Sequence, residues 1–227
     1  MGAACASALA ARGDAVIAVA RRADVLSNRF GDVENVTVVA ADVGHADGRS
    51  AILEVVTNQT DDPLTSVIHG AASPVELQPW HQLDPDALTA HFHVHVASSI
   101  AITGSVHNQV GVERCVIFDS YSASTPRVGW SAYSTLKAAA QMAFRAAAEE
   151  LEEVAIARVY PGAVKTPLLA RVLDAPRSIE ATAVYHELHD TGRVSTAEEI
   201  AEQLLPILDL SPAEIRAQDI WPIGYPA

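Results

Sequence analysis

The stretch RCVIFDSYSASTPRVGWSAYSTLK, residues 114–137, decides the fold of this 227-residue chain. Its beginning, from Arg114 to Phe118, is a short apolar run, which is typical of a fully buried strand. Its end opens a helical pattern that continues to residue 150. Because buried strands that alternate with helices form parallel sheets covered on both faces, the stretch predicts an α/β fold.

The same alternation of strand-length apolar runs and longer helical patterns extends over most of the chain. It predicts a single doubly wound, Rossmann-type domain over residues 1–227, since no repeat or linker marks a second domain. An irregular stretch from Pro161 to Ser195 follows a strand end, where the ligand-covering loops of such sheets belong. The other predicted strands are Ala15 to Ala20, Val36 to Ala41, Ser66 to His69 and Val154 to Val159, and the other predicted helices are 3–12, 46–59, 84–109 and 196–209.

The charge and composition of the chain narrow its possible partners. A formal net charge of -13 repels phosphate backbones and anionic membrane surfaces, which argues against nucleic acid and membrane partners. The apolar runs are too short to cross a bilayer, and the two cysteines, Cys5 and Cys115, indicate no disulfide framework. We therefore expect a cytoplasmic protein.

Three alternating histidines, His91, His93 and His95, raise the question of a metal site. On a helix only His91 and His95 share a face, and no Cys or carboxylate completes a ligand set. We therefore predict no metal.

Tyr133 and Lys137 stand four residues apart, on one face of the predicted helix that begins near Ser131. A phenol is a poor acid near neutral pH because its unperturbed pKa is ~10, but a nearby cation lowers that pKa. The two residues are either a proton donor with its activating cation or an ordinary surface pair. Taken alone, the spacing favours the ordinary pair, so the decision depends on the surroundings.

Those surroundings resemble the short-chain dehydrogenase/reductase (SDR) family. Ser120 ends the strand thirteen residues before Tyr133, the segment His69-Gly70-Ala71-Ala72 stands where the family writes Asn-Asn-Ala-Gly, and Met1-Gly2 looks like the tail of its Gly-rich turn. The resemblance implies a nicotinamide cofactor, with Asp42 at the adenine ring. On this resemblance the cofactor-binding residues are Gly2, Asp42, Val43, Gly70, Ala71, Tyr133, Lys137, Pro161, Gly162, Val164 and Thr166.

The resemblance also implies the catalytic roles. Ser120 hydrogen-bonds the substrate carbonyl, Tyr133 donates the proton, and Lys137 holds the nicotinamide ribose while lowering the pKa of the phenol. His95 aligns with the catalytic Asn of the family, and an imidazole can also hold a water molecule near Lys137. Two hydroxyl donors aimed at the carbonyl oxygen stabilise the negative charge that hydride transfer places there.

The residues at the end of the strand that matches the family's second strand indicate whether the cofactor is NAD(H) or NADP(H). The acidic residue that would bind a free ribose 2'-hydroxyl is absent there, and Arg21 and Arg22 offer two guanidinium groups instead. These residues predict NADP(H). The alternative is that the two arginines are only a solvated basic pair.

Two departures from the family affect the cofactor and the serine. The strand and most of the glycines that precede Met1 in the family are not in this sequence, and we expect Met1 to be an internal codon, with genuine loss of the strand as the alternative. Asp119 stands before Ser120 where the family places a small or hydroxyl residue, and the sequence assigns it no chemistry beyond capping or solvating the strand end.

The region after Tyr185 gives the only indication of substrate. The segments from Tyr185 to Ser195 and from Ala197 to Ala201 resemble the sepiapterin and benzil reductase branch of the family, which implies dicarbonyl or ketone substrates. Trp80, Trp130 and Tyr185 either line such a pocket or are ordinary packing.

Together these patterns predict an NADPH-dependent reductase of a small ketone, dicarbonyl or aldehyde. The helices at 84–109 and 131–150 match those that family members pair across a two-fold axis, so a homodimer or homotetramer is expected. A non-catalytic homologue that serves as a dimerising or regulatory module is the alternative. A sugar-nucleotide epimerase of the extended branch shares the Tyr and Lys, but the region after Lys137 leaves little room for its substrate domain.

Overall fold

The computed structural model describes residues 1–60, 62–174 and 180–224. Strands and helices alternate along these ranges, which confirms the predicted α/β class. The strands are β1 Val16–Ala20, β2 Val36–Ala40, β3 Leu64–His69, β4 Val112–Phe118, β5 Ala155–Tyr160 and β6 Trp221–Pro222. The helices are α1 Gly2–Arg12, α2 Ala23–Phe30, α3 Ala46–Gln59, α4 Pro85–Phe92, α5 Ser98–Gln109, α6 Ser131–Glu150, α7 Pro167–Asp174, α8 Glu180–Asp190, α9 Ala197–Leu208 and α10 Pro212–Arg216.

The strands pair in parallel, as the sequence predicts, but they form two sheets. One sheet has the order β3-β4-β5-β6 and the other contains β1 and β2. Val16 pairs with Val36 in the smaller sheet, and Cys115 pairs with Val67 and Ile156 in the larger one. Within the described ranges, β1 and β3 therefore each have a backbone edge that no strand of the chain pairs with.

Strand β1 is less buried than its apolar sequence predicts. Of its five residues only Ala18 is buried, whereas every residue of β5 except the last is buried. The short apolar run from Ala15 to Ala20 predicts a fully buried strand, and this prediction is wrong because burial depends on neighbours on both edges, whereas β1 has a strand partner on one edge only within the described ranges.

Helices cover both faces of the larger sheet, which makes it doubly wound. Along β4 the side chains alternate between the faces. Val116 packs with Val159 and with Ile200 of α9, while Cys115 packs with Ile156 and with Phe144 of α6. These side chains are almost completely buried, and each large one contributes about 1.5 to 3 kcal/mol of hydrophobic stabilisation.

The helix bounds follow the sequence signals closely, with two differences. Gly13 ends α1 in the left-handed conformation at φ 97°, as a C-cap glycine does. The predicted helix at 84–109 is interrupted by a π-helical turn at His93–Ala97. Helices α2 and α10, and the bounds of α7 and α8, were not predicted. Because a π turn carries one extra residue, it changes the direction in which the preceding side chains project.

No helix in the described part of the chain has the length and hydropathy needed to cross a bilayer. Cys5 and Cys115 are both buried and free.

Candidate active site

The catalytic residues that the sequence predicts meet where β4 ends against α6. Tyr133 and Lys137 lie in the first two turns of α6, and Ser120 follows β4. The Lys137 ammonium donates a hydrogen bond to the Phe118 carbonyl at 2.7 Å, and its Nζ lies 5.9 Å from the centroid of the Tyr133 ring. The Ser120 hydroxyl oxygen accepts a hydrogen bond from the Ser122 backbone N–H at 3.2 Å. The carboxyl end of β4 thus positions both the lysine and the serine.

The phenol of Tyr133 is held in its neutral form. Burial raises its pKa, the nearby Ser120 hydroxyl opposes that rise, and the Asp119 carboxylate adds to it. This direction is opposite to the expected lowering by Lys137. The ammonium of Lys137 is bonded to the Phe118 carbonyl, and its own pKa is lowered by burial and raised by Asp119. Near neutral pH the phenol therefore keeps a proton that it can donate.

His95 lies in the π turn and faces the loop after β3. Its Nε2 is 3.1 Å from the Ser73 backbone nitrogen and 3.0 Å from the Ser73 carbonyl oxygen, so each tautomer forms one of these bonds. His91 Nδ1 lies 2.6 Å from the Ser73 hydroxyl. Burial lowers the pKa of His95 to about 4, so the ring is neutral at pH 7. Ser73 was not predicted as a site residue, and only its position after β3 could have indicated it.

A small cavity separates His95 from Lys137. Its volume is about 40 Å³, enough for a water molecule, and its wall is partly polar. The wall includes His69, Ala71, His95, Asp119, Lys137 and Gln141.

The glycines at the predicted pyrophosphate side pack against each other. A Cβ atom on Gly70 would lie 2.8 Å from the Gly2 Cα, which is closer than side chains come to backbone. The end of β3 and the start of α1 can therefore approach each other this closely only because residue 70 is glycine. The first turn of α1 has no acidic residue, and its N–H groups favour an anion.

The predicted adenine side lies at the carboxyl ends of β1 and β2. Arg21 Nη1 is 3.9 Å from Asp42 Oδ2, and Asp42 Oδ1 accepts a hydrogen bond from the Gly44 N–H at 2.9 Å. Arg22 is exposed at the start of α2. The Val43 carbonyl accepts a hydrogen bond from Arg49 at 2.9 Å. Arg21 and Asp42 are thus brought together, as one site would require.

The predicted nicotinamide-side loop follows β5. Pro161 is buried, Gly162 takes a positive φ of 67°, and Val164 forms a parallel bridge with Ser195. The Thr166 hydroxyl accepts a hydrogen bond from the Leu169 N–H at 3.3 Å and so caps the start of α7. The loop is therefore tied to the irregular segment before α9.

This geometry has a counterpart in known proteins. Residues 1–177 match the family model described as short chain dehydrogenase. The chain belongs to the short-chain dehydrogenase family. No curated protein matches it in sequence.

Solved short-chain dehydrogenase structures share its fold at low sequence identity. The KRED1-Pglu enzyme has a TM-score of 0.81 and 22% identity, with 90% of this chain and 88% of that chain covered. A short-chain dehydrogenase from Streptomyces avermitilis has a TM-score of 0.77 and 20% identity, with 97% and 82% covered. One from Burkholderia cenocepacia in complex with NADP has a TM-score of 0.77 and 18% identity, with 98% and 91% covered.

In this short-chain dehydrogenase an aromatic cluster borders Tyr133. Trp130 is buried, stacks on Tyr185 with ring centroids 5.3 Å apart, and meets the Tyr133 ring edge-on at 5.7 Å. The Tyr185 hydroxyl accepts a hydrogen bond from Arg127 at 2.8 Å. Trp80, the third aromatic residue considered from the sequence, is 74% exposed. The cluster therefore forms from Trp130 and Tyr185, with Arg127 as a member that the sequence did not indicate.

Within the described ranges, no group of three or more His, Cys, Asp or Glu side chains is arranged to hold a metal ion.

Proposed function

We propose that this short-chain dehydrogenase is an NADPH-dependent reductase of a small ketone, dicarbonyl or aldehyde. The observation that carries the proposal is the neutral, partly buried phenol of Tyr133 beside the Ser120 hydroxyl and one helical turn from Lys137. A phenol that keeps its proton is the acid that carbonyl reduction needs, because the oxygen gains negative charge in the transition state.

The residues present fit a nicotinamide cofactor. Gly2 and Gly70 are in close contact, and a side chain at Gly70 would clash with the start of α1, whose first-turn N–H groups would bind the pyrophosphate. One N–H of Lys137 is bonded to the Phe118 carbonyl, which leaves two donors for ribose hydroxyls. When bound, NADPH supplies the hydride.

Each catalytic side chain then has one task. Tyr133 transfers its proton to the carbonyl oxygen as the negative charge develops there. The Ser120 oxygen accepts the Ser122 N–H, and the Ser120 hydroxyl would donate its hydrogen to the same carbonyl oxygen when the substrate is bound. Neutral His95 lines the small cavity beside Lys137, and a water molecule in that cavity would connect the lysine to the imidazole.

The preference for NADPH rests on Arg21 and Arg22. Arg21 lies at the end of β1 with its guanidinium 3.9 Å from Asp42, and Arg22 is exposed beside it. A 2'-phosphate placed there would gain two charge-assisted partners. Two of the similar solved structures are described as complexes with NADP.

The experiment that tests the function is a fluorescence titration of the purified chain with NADPH, followed by a ketone, dicarbonyl and aldehyde panel. We expect saturable binding and consumption of NADPH with at least one carbonyl class. Binding without turnover over the whole panel, at pH values on both sides of neutrality, would contradict the proposal.

A second candidate function is a non-catalytic module that keeps the fold without turnover. Within the described ranges β1 pairs with β2 alone, so the region that would hold the adenosine has fewer strand partners than the region around Ser120 and Tyr133. Absence of NADPH binding in a folded protein would select this second function.

We also propose that the chain forms a homodimer or homotetramer through α4, α5 and α6. Phe92, Ile100 and Met142 are large apolar side chains with exposed fractions of 40%, 49% and 62% on these helices. Light scattering at micromolar concentration tests the assembly. We expect Ile100→Glu to lower the measured mass to that of one chain, while Val25→Glu, at an exposed position on α2, leaves it unchanged.

A further inference from the structure

Both carboxylate oxygens of Asp119, the residue before Ser120, accept hydrogen bonds. Asp119 is 5% exposed, and its Oδ1 accepts the backbone N–H of Ser120 at 2.7 Å. Its Oδ2 accepts hydrogen bonds from Arg158 Nε at 3.1 Å, from Arg158 Nη2 at 2.9 Å and from Gln141 Nε2 at 3.0 Å. The carboxylate therefore caps the strand end, which is one of the two roles expected from the sequence, and it also joins β4 to β5 and α6.

Arg158 completes the arrangement from the neighbouring strand. Its side chain is 7% exposed and donates hydrogen bonds to the Asp119 carboxylate from Nε and Nη2, while its Nη1 donates a hydrogen bond to Asp219 at 2.6 Å. The Asp219 carboxylate is largely exposed, so the network runs from solvent to the serine peptide. A buried charge is costly unless it is paired and hydrogen-bonded, and both buried charges here are.

The network lies beside every catalytic group. Three consecutive residues at the end of β4 have different roles. The Phe118 carbonyl accepts a hydrogen bond from Lys137, the Asp119 carboxylate accepts one from the Ser120 backbone N–H, and Ser120 carries the hydroxyl. Asp119 and Lys137 line the same small cavity. A shift of Asp119 would therefore move the serine and change the charge next to the lysine at once.

We propose that Asp119, held by Arg158 and Gln141, is a positioning residue of the hydride-transfer site, which fixes the Ser120 peptide and keeps a negative charge beside Lys137. This inference rests on the proposed reductase function. It is based on the geometry of one buried carboxylate that accepts four hydrogen bonds, one of them at Oδ1 from the Ser120 backbone N–H.

The charge of Asp119 acts on two groups in the same direction. It raises the pKa of Tyr133, adding to burial, and it raises the pKa of Lys137 against burial. Removing that charge lowers both pKa values, so the loss of activity at high pH should begin at lower pH. The other titratable groups that face Asp119 or share its cavity are Arg158 on β5, His69 on β3 and His95 in the π turn.

The test compares two substitutions at one position. Asp119→Asn keeps an acceptor for the Ser120 N–H but removes the charge, and Asp119→Ala removes both. We expect kcat of the Ala variant to fall about tenfold to hundredfold, as when a catalytic group is misplaced, while the affinity for NADPH changes by less than about twofold. The Asn variant should lose less kcat, and the basic limb of its pH profile should move to lower pH.

Glu113→Gln is the matched control, because Glu113 is an exposed carboxylate on the same strand with its own arginine partner, Arg114, at 2.7 Å. It should leave kcat and the pH profile unchanged. If both Asp119 variants are folded by circular dichroism and show kcat within about twofold of the parent and an unmoved basic limb, the inference is wrong. If the Ala variant does not fold, the pH profile of the Asn variant decides.

A measurement without substrate separates this inference from the proposed function. The titration of Tyr133 is obtained from ultraviolet absorbance as the difference between the parent and Tyr133→Phe. In the Asp119→Asn background this titration should move to lower pH. A protein that reduces no carbonyl but shows this movement would refute the reductase function and keep the electrostatic part of the inference, and an unmoved titration would overturn that part.

Discussion

The proposed catalytic half of this short-chain dehydrogenase, around Ser120, Tyr133 and Lys137, and its proposed cofactor half, around β1 and β2, differ in how their strands are paired and buried. Around the catalytic residues, β4 and β5 are paired on both edges and buried almost throughout. At the adenosine side, β1 is paired on one edge and has one buried residue of five. The proposed chemistry, which depends on distances of about 3 Å, thus lies on well-paired and buried strands, and the proposed cofactor recognition lies on a less buried strand pair.

The largest effect is expected in the catalytic half. Tyr133→Phe removes the proton donor and little volume, so reduction should fall by about 10² to 10⁴-fold while NADPH binding is nearly unchanged. Steady-state kinetics and a fluorescence titration measure the two quantities. Tyr121→Phe, at a phenol that is 59% exposed, is the control and should behave like the parent. Retained turnover in Tyr133→Phe would end the catalytic assignment.

Hydrogen exchange measures the difference between the two halves directly. Amides of β1 should exchange through openings that cost clearly less than the global free energy of unfolding, which is ~5 to 15 kcal/mol for a domain, whereas β4 and β5 should exchange near the global limit. NADPH should increase protection in β1 more than in β5. Equal protection of the two regions without cofactor would remove the contrast on which this comparison is based.

Two partly buried histidines should make the catalytic half sensitive to acid. Burial lowers the pKa of His69 and of His95 to about 4, below the ordinary value of 6.5. The unfolded chain therefore binds more protons than the folded chain between these values, so stability is complete above about pH 6.5 and is lost as pH falls toward about 4. For His95 the loss amounts to about 3 kcal/mol.

Denaturant unfolding at several pH values tests this sign. His95→Asn should reduce the dependence of the free energy of unfolding on pH in the window from about 4 to 6.5. His93→Asn, at an exposed position in the same π turn, should not. A parent protein whose stability does not change over this window would contradict the burial of both rings.

The smallest expected effect is in the cofactor half. The double substitution of Arg21→Ala and Arg22→Ala should weaken NADPH binding about tenfold to hundredfold, the effect of one or two lost charge-assisted bonds, and should leave NADH binding nearly unchanged. Arg145→Ala, on the exposed side of α6, is the control. Equal losses for both cofactors would show that the two arginines are only surface charge.

What the sequence predicts well is what local patterns determine. The predicted strands agree with the observed ones to within two residues at each end, and the helix at 131–150 agrees at both ends. The family motif places Ser120, Tyr133 and Lys137 on neighbouring elements, and the fold brings these elements together.

What the sequence did not predict depends on contacts between distant segments. Asp119 and Arg158 pair across thirty-nine residues of chain, and no local signal marks them as partners. The pKa of Tyr133 rises because its surroundings are buried, and the spacing to Lys137 alone predicted the reverse. The half-buried state of β1 likewise depends on which strands lie beside it.

The π turn at His93–Ala97 rotates the side chains of α4 relative to those of α5. Each residue of an α-helix turns the chain by about 100°, so one extra residue in this turn offsets the face of α4 from that of α5 by that angle. Deleting a single residue there would restore an uninterrupted helix and keep every hydrophobic residue of α5 in register. It would also rotate His91 away from Ser73 and break the contact between them. A deletion that hardly changes composition or hydropathy would thus remove part of the wall of the site.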